Sequence, residues 1–565
     1  MAHKYDIIIV GSGVAGALCA WKLSQYGRHK ILILEAGDNG ITHGQRIEFH
    51  HRMDEQGNRG DMYAPYMDLE SRLFAPVAEK AQRELTDQKN DPKNYYEYTN
   101  ASRDAFKAGY NRMVGGSTWS WRGNTPRFIP SDFKLKSNFG RGRDWPIDYH
   151  ELEPWYCQAE EELGVSGNHE EWDGLHGGYR SRPFPMRGIP LGYADQQVKK
   201  RIEGKTVRGT EIRVVTTPQA RNSADYDGRP ACEGHSNCIP LCPIQAKYDA
   251  TVHLRRMVSD PRVQLKKAAV VTRLERGKDG EVSEVYYKDW RSADPQKEHS
   301  VSGSVVVLAA HAIETPKILL MSKNLANRSG QVGRNLMDHV QFEVTAFFPE
   351  PLYPFRGPQS ISSIEAFRDG AFRKTRSAFR MTIGNDGWGR TGSPATVIDN
   401  LLKTGQYGSA LPGAIADQIP KMLRLSFSTE MLAESSNRIE LSTNKDALGI
   451  PRPLFTFDVG DYTRVALREG FETAKDLFGV MGATVMGEQT MPDGKWNTAA
   501  HIMGTCVMGD DPASSVVNRW GRAHDVPNLW IVGSSVFATS ATANPTLTLA
   551  ALSLRTAAAI NREMV

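Results

Sequence analysis

Tyr5-Asp-Ile-Ile-Ile-Val10-Gly11-Ser-Gly13-Val-Ala-Gly16-Ala-Leu-Cys-Ala-Trp-Lys-Leu-Ser24, followed shortly by Ile31-Leu-Ile-Leu-Glu35-Ala36-Gly37, is the stretch that decides the fold. It runs from an apolar strand through a glycine turn and a helical pattern to a second apolar strand ending in an acid. That is the order of a dinucleotide-binding βαβ unit. Each residue type has its reason: Gly11 permits the tight turn, Gly13 lets backbone amides approach a pyrophosphate, and Gly16 lets helix and strand pack closely. Glu35, with Ala36 beside it, ends the second strand where a carboxylate can bond a ribose hydroxyl. A bare G-x-G-x-x-G can be an ordinary tight turn. Here the flanks are right, and the acid lies nineteen residues beyond Gly16.

Outward from this unit, the segment 41–103 turns polar and irregular and reads as an excursion from the core. Asn111-Arg112-Met-Val-Gly115-Gly116-Ser117-Thr-Trp119-Ser120-Trp121 then places paired glycines before paired tryptophans. That composition suits a backbone loop pressed against a flat ligand, though a buried loop with packing tryptophans would share it. Asp144-Trp-Pro-Ile-Asp148 opens a helix that Gly164 stops. The continuous apolar run 305–310 fits a strand covered on both faces, so it joins the first sheet, as does the strand 528–533 with the helix 546–561 after it. Between 340 and about 487 the pattern changes to alternating strands at 340–348, 422–428, 437–442 and 453–458.

The expected fold class is therefore α/β: a discontinuous doubly wound nucleotide-binding domain beside a mainly antiparallel second domain. The first takes residues 1–45, 104–130, 228–339 and 489–565, and the second 46–103, 131–227 and 340–488. Composition sets wide bounds on the rest. The chain has 565 residues, 40% hydrophobic and 24% charged, which argues against a disordered or fibrous protein. Its net charge of +4 gives no reason to propose nucleic acid as a partner. No stretch approaches eighteen consecutive apolar residues; the most apolar segment, 545–560, is broken by Arg555, so no membrane span is expected.

Taken in order, the glycine unit, the Gly115-Gly116 loop, Asp144-Trp-Pro-Ile, Val332-Gly-Arg-Asn-Leu-Met-Asp-His339, His501-Ile-Met-Gly-Thr-Cys506 and Gly533-Ser-Ser-Val-Phe-Ala-Thr-Ser-Ala-Thr-Ala-Asn544-Pro545-Thr546 resemble the glucose-methanol-choline (GMC) oxidoreductases from end to end. The resemblance implies an FAD-binding domain and oxidation of an alcohol by hydride transfer to flavin N5. It puts His501 at the catalytic histidine position and Asn544 at its partner position. Neutral imidazole can take a hydroxyl proton near working pH; the amide of Asn544 can only hold the hydroxyl. Amides near Asn544, Pro545 and Thr546, at the start of the last helix, would stabilise negative charge on the reduced flavin. Arg112, Gly115, Gly116, Ser117 and Gly533 complete the expected cofactor residues. His339 lies on a family pattern but reads as structural; His150, His253, His311 and His524 have no motif behind them. Where some relatives attach the flavin through a histidine, this chain has Ser120, so FAD is expected to be held without a covalent bond.

Cys232-Glu-Gly-His235-Ser-Asn-Cys238-Ile-Pro-Leu-Cys242-Pro243, within residues 228–248, is the motif most members of that family lack. Three thiolates at this spacing could wrap a small iron–sulfur cluster. The motif resembles the catalytic subunits of bacterial FAD sugar dehydrogenases, of the glucoside 3-dehydrogenase and FAD glucose dehydrogenase types, which carry a 3Fe-4S cluster. A structural zinc on Cys232, His235, Cys238 and Cys242 is the rival. Cys19, Cys157 and Cys506 read as small core residues.

These expectations join into an FAD-dependent sugar dehydrogenase: a ring hydroxyl of a hexopyranose or glucoside, carbon 3 favoured, reduces FAD, and electrons leave through the cluster to a cytochrome c subunit or an added dye. Glucose at carbon 1, fructose at carbon 5 and gluconate at carbon 2 are the alternatives within that class. An oxygen-using oxidase and a non-redox flavin lyase are alternatives outside it, and the three cysteines argue against both. The N-terminus passes into a strand within six residues, leaving no room for a signal peptide. The expected route is periplasmic, by co-export with a small chaperone-like subunit that carries the signal; a cytoplasmic enzyme is the rival.

Overall fold

The protein was analysed as a computed structural model that describes residues 4–48, 95–235, 238–239, 241–385, 394–487, 490–491 and 494–565. Most of the polar excursion read from the sequence lies outside the described residues. Five parallel strands form the first sheet, in the order Leu529–Ile531, Gly303–Leu308, Tyr5–Val10, Ile31–Leu34, Val263–Lys266. Val10 stands level with Leu308 on one side and Leu34 on the other. The chain leaves the central strand at Gly11 between neighbours that connect in opposite directions, and such a switch point opens a crevice at the carboxyl ends of the strands.

Sequence explains this sheet directly. Ile7, Ile8 and Ile9 are buried without exception, as a strand with helices on one face and further layers on the other must be. The helices Val14–Ser24 and Thr546–Glu563 pack against each other on one side. Antiparallel strands Ala269–Arg276, Val282–Asp289 and Glu298–Val301 form a small sheet nearby.

The second large sheet has seven strands, antiparallel throughout, built around Val340–Phe347, Met422–Thr429 and Phe379–Gly384. Its two faces separate by alternation. Phe342, Val344, Leu425, Phe427, Met381 and Ile383 share one face; the helix Asp461–Val480 packs on the strands Val340–Phe347 and Met422–Thr429, where Phe342 meets Phe471 at 5.7 Å.

Two strands expected in this sheet stand elsewhere. Arg438–Lys445 and Pro451–Thr456 form a separate three-stranded sheet with Glu97–Tyr98, and the last pairing is parallel. The cause is aromatic: Phe455 packs on Tyr96 at 4.6 Å and stacks on Phe106 at 5.2 Å, drawing its strand to the 95–106 segment.

Candidate active site

A cavity of about 350 Å³ opens at the carboxyl ends of the parallel strands and extends to the polar face of the seven-stranded sheet. Gly11, Gly13, Glu35, Ala36, Arg112, Gly116, Ser117, His501, Gly533, Asn544, Pro545 and Thr546 all line it. Gly16 and Gly115 do not, and act from behind. A Cβ on Gly16 would lie 2.0 Å from the Gly11 carbonyl oxygen, so only glycine allows the helix to start here. Gly11 itself has φ +100°.

The walls at this end suit a dinucleotide. The helix Val14–Ser24 has no side-chain cap at Gly13, which leaves first-turn amides aimed into the cavity. Gly13 and Gly116 face each other backbone to backbone; a Cβ on Gly13 would come no closer than 3.9 Å to the Gly116 Cα. The Ser12 hydroxyl accepts from the Gly115 amide at 3.2 Å and donates to Glu35 at 2.6 Å, which ties the paired-glycine loop to the first turn. Glu35 also accepts from the Ser12 and Gly37 amides, while burial pushes its carboxyl above the ordinary range. The fit to FAD thus rests on uncapped amides, a glycine cradle and a buried carboxylate. Arg112 is committed to Glu314 at 2.9 Å and presents itself to the cavity as half of an ion pair.

At the other end the structure brings His501 and Asn544 together, with Asn544 Nδ2 lying 3.1 Å from His501 Nε2. His501 Nδ1 lies 2.8 Å from His339 Nδ1, and His339 Nε2 is 3.0 Å from both the Ser540 and Ala541 carbonyl oxygens. Asp338 clamps the two histidine segments, its Oδ1 accepting from the His339 and His501 amides at 2.8 Å each. Burial raises the Asp338 carboxyl to about 6 and lowers His339 to about 4. His501 is held well below the ordinary imidazole range, first by burial and then by His339 and Arg380. Asp144-Trp-Pro-Ile reaches this site from outside: Trp145 Nε1 donates to Thr539 Oγ1 at 2.8 Å, beside Phe537.

The floor beyond His501 is the polar face of the large sheet. Register places Gln341, Ser428 and Arg380 in one row, and Ser426 and Thr382 in the next; all five line the cavity. Arg380 donates to Glu365 at 2.6 Å and to Asn544 Oδ1 at 3.3 Å. Sequence reading missed these residues because they are scattered over three strands, and only period-2 alternation with known register could have gathered them. It also set two histidines aside too soon. His339 bonds His501 directly, and His311 lines the cavity with φ +68°, stacked on Tyr110 at 4.6 Å.

Cys232, Cys238 and Cys242 carry free thiols. Among the described residues no group of three or more His, Cys, Asp or Glu is placed to hold a single metal ion. His235 pairs with Glu233 at 3.2 Å and is half exposed, which corrects the four-ligand zinc reading: the imidazole has turned to solvent. Burial pushes the Cys232 thiol up, Arg221 opposes this and Cys238 and Cys242 add to it, and Cys238 accepts from the buried Arg221 at 3.4 Å. In a sulfur-bridged cluster each thiolate would bind a different iron, so the thiols would not need to meet at one point as they would around a single ion. Lys247, lowered by burial to about 8, donates to the Trp119 and Trp121 carbonyls at 2.7 and 2.6 Å, fastening this loop to the paired-glycine loop. Ile239, next to Cys238, lines the cavity.

The sequence matches the GMC oxidoreductase family over residues 5–341 and again over 433–553. It is 35% identical to the fructose dehydrogenase large subunit of Gluconobacter japonicus, covering 99% of this chain and 98% of that one. Identity to 2-methyl-1,2-propanediol dehydrogenase of Mycolicibacterium austroafricanum is 26%, over 99% and 96% of the two chains. Among solved structures, pyridoxine 4-oxidase from Mesorbium loti superposes with a TM-score of 0.62 at 17% identity over 99% of each chain, a likeness of fold. Among the described residues no helix is long and apolar enough to cross a membrane.

Proposed function

Since this chain belongs to the GMC oxidoreductases, an FAD-binding family, we propose that it is an FAD-dependent dehydrogenase oxidising a ring hydroxyl of a hexopyranose or glucoside, carbon 3 first. One observation carries this reading. The Nε2 of a neutral imidazole, with an amide donor 3.1 Å away, faces a cavity whose floor is a row of amide, hydroxyl and guanidinium groups suited to a polyol.

FAD, when bound non-covalently along the glycine turn and the Gly115-Gly116 loop, supplies the acceptor for the hydride. The protein supplies the rest. His501 Nε2 takes the substrate hydroxyl proton; Asn544 Nδ2 donates to the same oxygen, held in place by Arg380 on its Oδ1. Gln341, Ser426 and Ser428 hold the neighbouring hydroxyls. The helix Thr546–Glu563 has no side-chain cap, so its first amides serve negative charge near Thr546.

A second substrate reading, oxidation of fructose, is favoured by the 35% identity to a fructose dehydrogenase large subunit. The same relative, a large subunit by name, supports a partner subunit; the partners of this reading are a small chaperone-like subunit with the export signal and a cytochrome c acceptor, in the periplasm. A 3Fe-4S cluster on Cys232, Cys238 and Cys242 would supply a one-electron exit from the flavin; the tether of Lys247 to the flavin-side loop supports that placement.

Anaerobic mixing with methyl glucoside, glucose, fructose and gluconate tests the reading. Bleaching of the flavin by methyl glucoside, with a 3-keto product, supports it; bleaching by fructose alone selects the second reading. Failure of every sugar to bleach the flavin defeats both.

A further inference from the structure

We infer that His339 is a positioning residue that fixes the tautomer of His501, leaving the His501 Nε2 lone pair directed at the substrate hydroxyl. The inference rests on the reading of His501 as the base and explains how that base is kept ready.

His339 is fully buried and its Nε2 meets two backbone carbonyl oxygens, those of Ser540 and Ala541, both at 3.0 Å. A carbonyl oxygen only accepts, so Nε2 must carry the proton. Burial holds His339 neutral, and a neutral imidazole has one N–H; its Nδ1 therefore carries a lone pair. His501 Nδ1 lies 2.8 Å from that lone pair and must be the donor. His501, neutral as well, is then left with an unprotonated Nε2.

A second chain of bonds reaches the same assignment from the opposite side. Glu365 accepts from Arg380 Nε at 2.6 Å, which orients the guanidinium. Arg380 Nη1 donates to Asn544 at 3.3 Å, so the atom facing Arg380 must be the amide oxygen. The NH₂ of Asn544 consequently faces His501 Nε2 at 3.1 Å and requires an acceptor there. Two carbonyls at one end and a carboxylate–guanidinium pair at the other thus specify the same proton positions, with no titrating group needed between them.

The other groups facing the pair do not compete. The Asp338 carboxylate accepts from the backbone amides of His339 and His501 and from the Thr498 hydroxyl, not from either ring. Arg368, felt electrostatically by His339, is paired with Glu365 at 3.1 Å. When His501 accepts the substrate proton at Nε2, its Nδ1–H continues to donate to His339, so the charge forms without His339 moving, while Asn544 Nδ2 gives its N–H to the substrate oxygen instead of to Nε2. Without His339 the His501 Nδ1–H loses its acceptor, and the 3.1 Å Asn544 contact alone opposes the tautomer with its proton on Nε2, which cannot accept.

The side chain of glutamine spaces an amide oxygen and nitrogen much as imidazole spaces its two ring nitrogens, so His339→Gln can accept from His501 and donate to the carbonyls. His339→Leu can do neither. Two measurements on the holoenzyme decide the inference. In ¹⁵N spectra of histidine-labelled wild type, with His501→Ala used to assign the signals, His501 should show a protonated Nδ1 and an unprotonated Nε2; the reverse pattern overturns the inference. In anaerobic flavin reduction by methyl glucoside and by fructose, H339Q should stay within about threefold of wild type, and H339L should fall at least about a hundredfold, as a wrong-tautomer base does. Equal loss in both variants, or wild-type rate in H339L, also overturns it. If H339L does not fold, the spectra of the wild type still decide. If neither sugar reduces the wild type, the proposed substrate fails while the spectra report the tautomer independently.

Discussion

At the residue scale, the site depends on imidazoles kept neutral inside a closed structure. His501→Ala should slow anaerobic flavin reduction by roughly a hundredfold to ten-thousandfold, the contribution of a positioned base. Stopped-flow absorbance would measure it, and an unchanged rate would remove His501 from the chemistry. Because burial, His339 and Arg380 hold the imidazole well below its ordinary value, the acid limb of kcat/KM should lie well under pH 6.5; a limb at 6.5 would contradict the enclosure described above. Stability follows with the opposite benefit. His339 has a folded value of about 4 against about 6.5 unfolded, so as pH falls between these values the unfolded chain binds a proton that the folded one refuses. Wild type should therefore lose stability relative to H339Q between pH 7.5 and 4.5, by on the order of 3 kcal/mol, in denaturant titrations at the two pH values.

At the scale of elements, the glycine turn makes two different demands. Gly16→Ala drives a methyl into the Gly11 carbonyl and should destabilise the apoprotein by about 1–3 kcal/mol. Gly13→Ala meets only ordinary contact in the fold and should leave the melting temperature of the apoprotein unchanged while weakening FAD binding about tenfold or more, since its methyl would occupy the approach to the pyrophosphate. Calorimetry of the apoprotein together with FAD titration separates the two. This turn was legible in the sequence because its first demands are local: Gly11 by its own φ of +100°, and Gly16 by the Gly11 carbonyl five residues earlier. His501 and Asn544 were legible through motif spacing. Their setting was not, because Arg380, Gln341 and Ser428 become neighbours only through strand register, and His339 reveals its role only once Asp338 folds it against His501. The misplacement of Arg438–Lys445 and Pro451–Thr456 has the same origin, since alternation marks a strand but not its partner.

At the scale of the whole molecule, the cysteine loop and the cofactor cradle are one mechanical unit, joined by Lys247 and by Trp121 Nε1 donating to the Tyr248 carbonyl at 2.8 Å. If the thiols serve electron exit, Cys238→Ser should leave flavin reduction by sugar within about threefold of wild type and abolish turnover with cytochrome c as acceptor. Loss of both at once would assign the loop to folding instead. A buried ammonium spread over several carbonyls resists removal, so Lys247→Met should destabilise the protein by about 2–4 kcal/mol in chemical unfolding, because those carbonyls would be left unsatisfied.

The parallel sheet takes its outer strand Leu529–Ile531, and the helix Thr546–Glu563 that covers the glycine turn, from the far end of the chain from Tyr5–Val10. Everything between Tyr5 and Thr546 must therefore be synthesised before the nucleotide crevice can close, so that early-made strands wait for late-made ones. Newly synthesised chains pass through an interval with Ile7, Ile8 and Ile9 uncovered, when a holding partner in the cell would matter most and prosthetic-group capture could only come last.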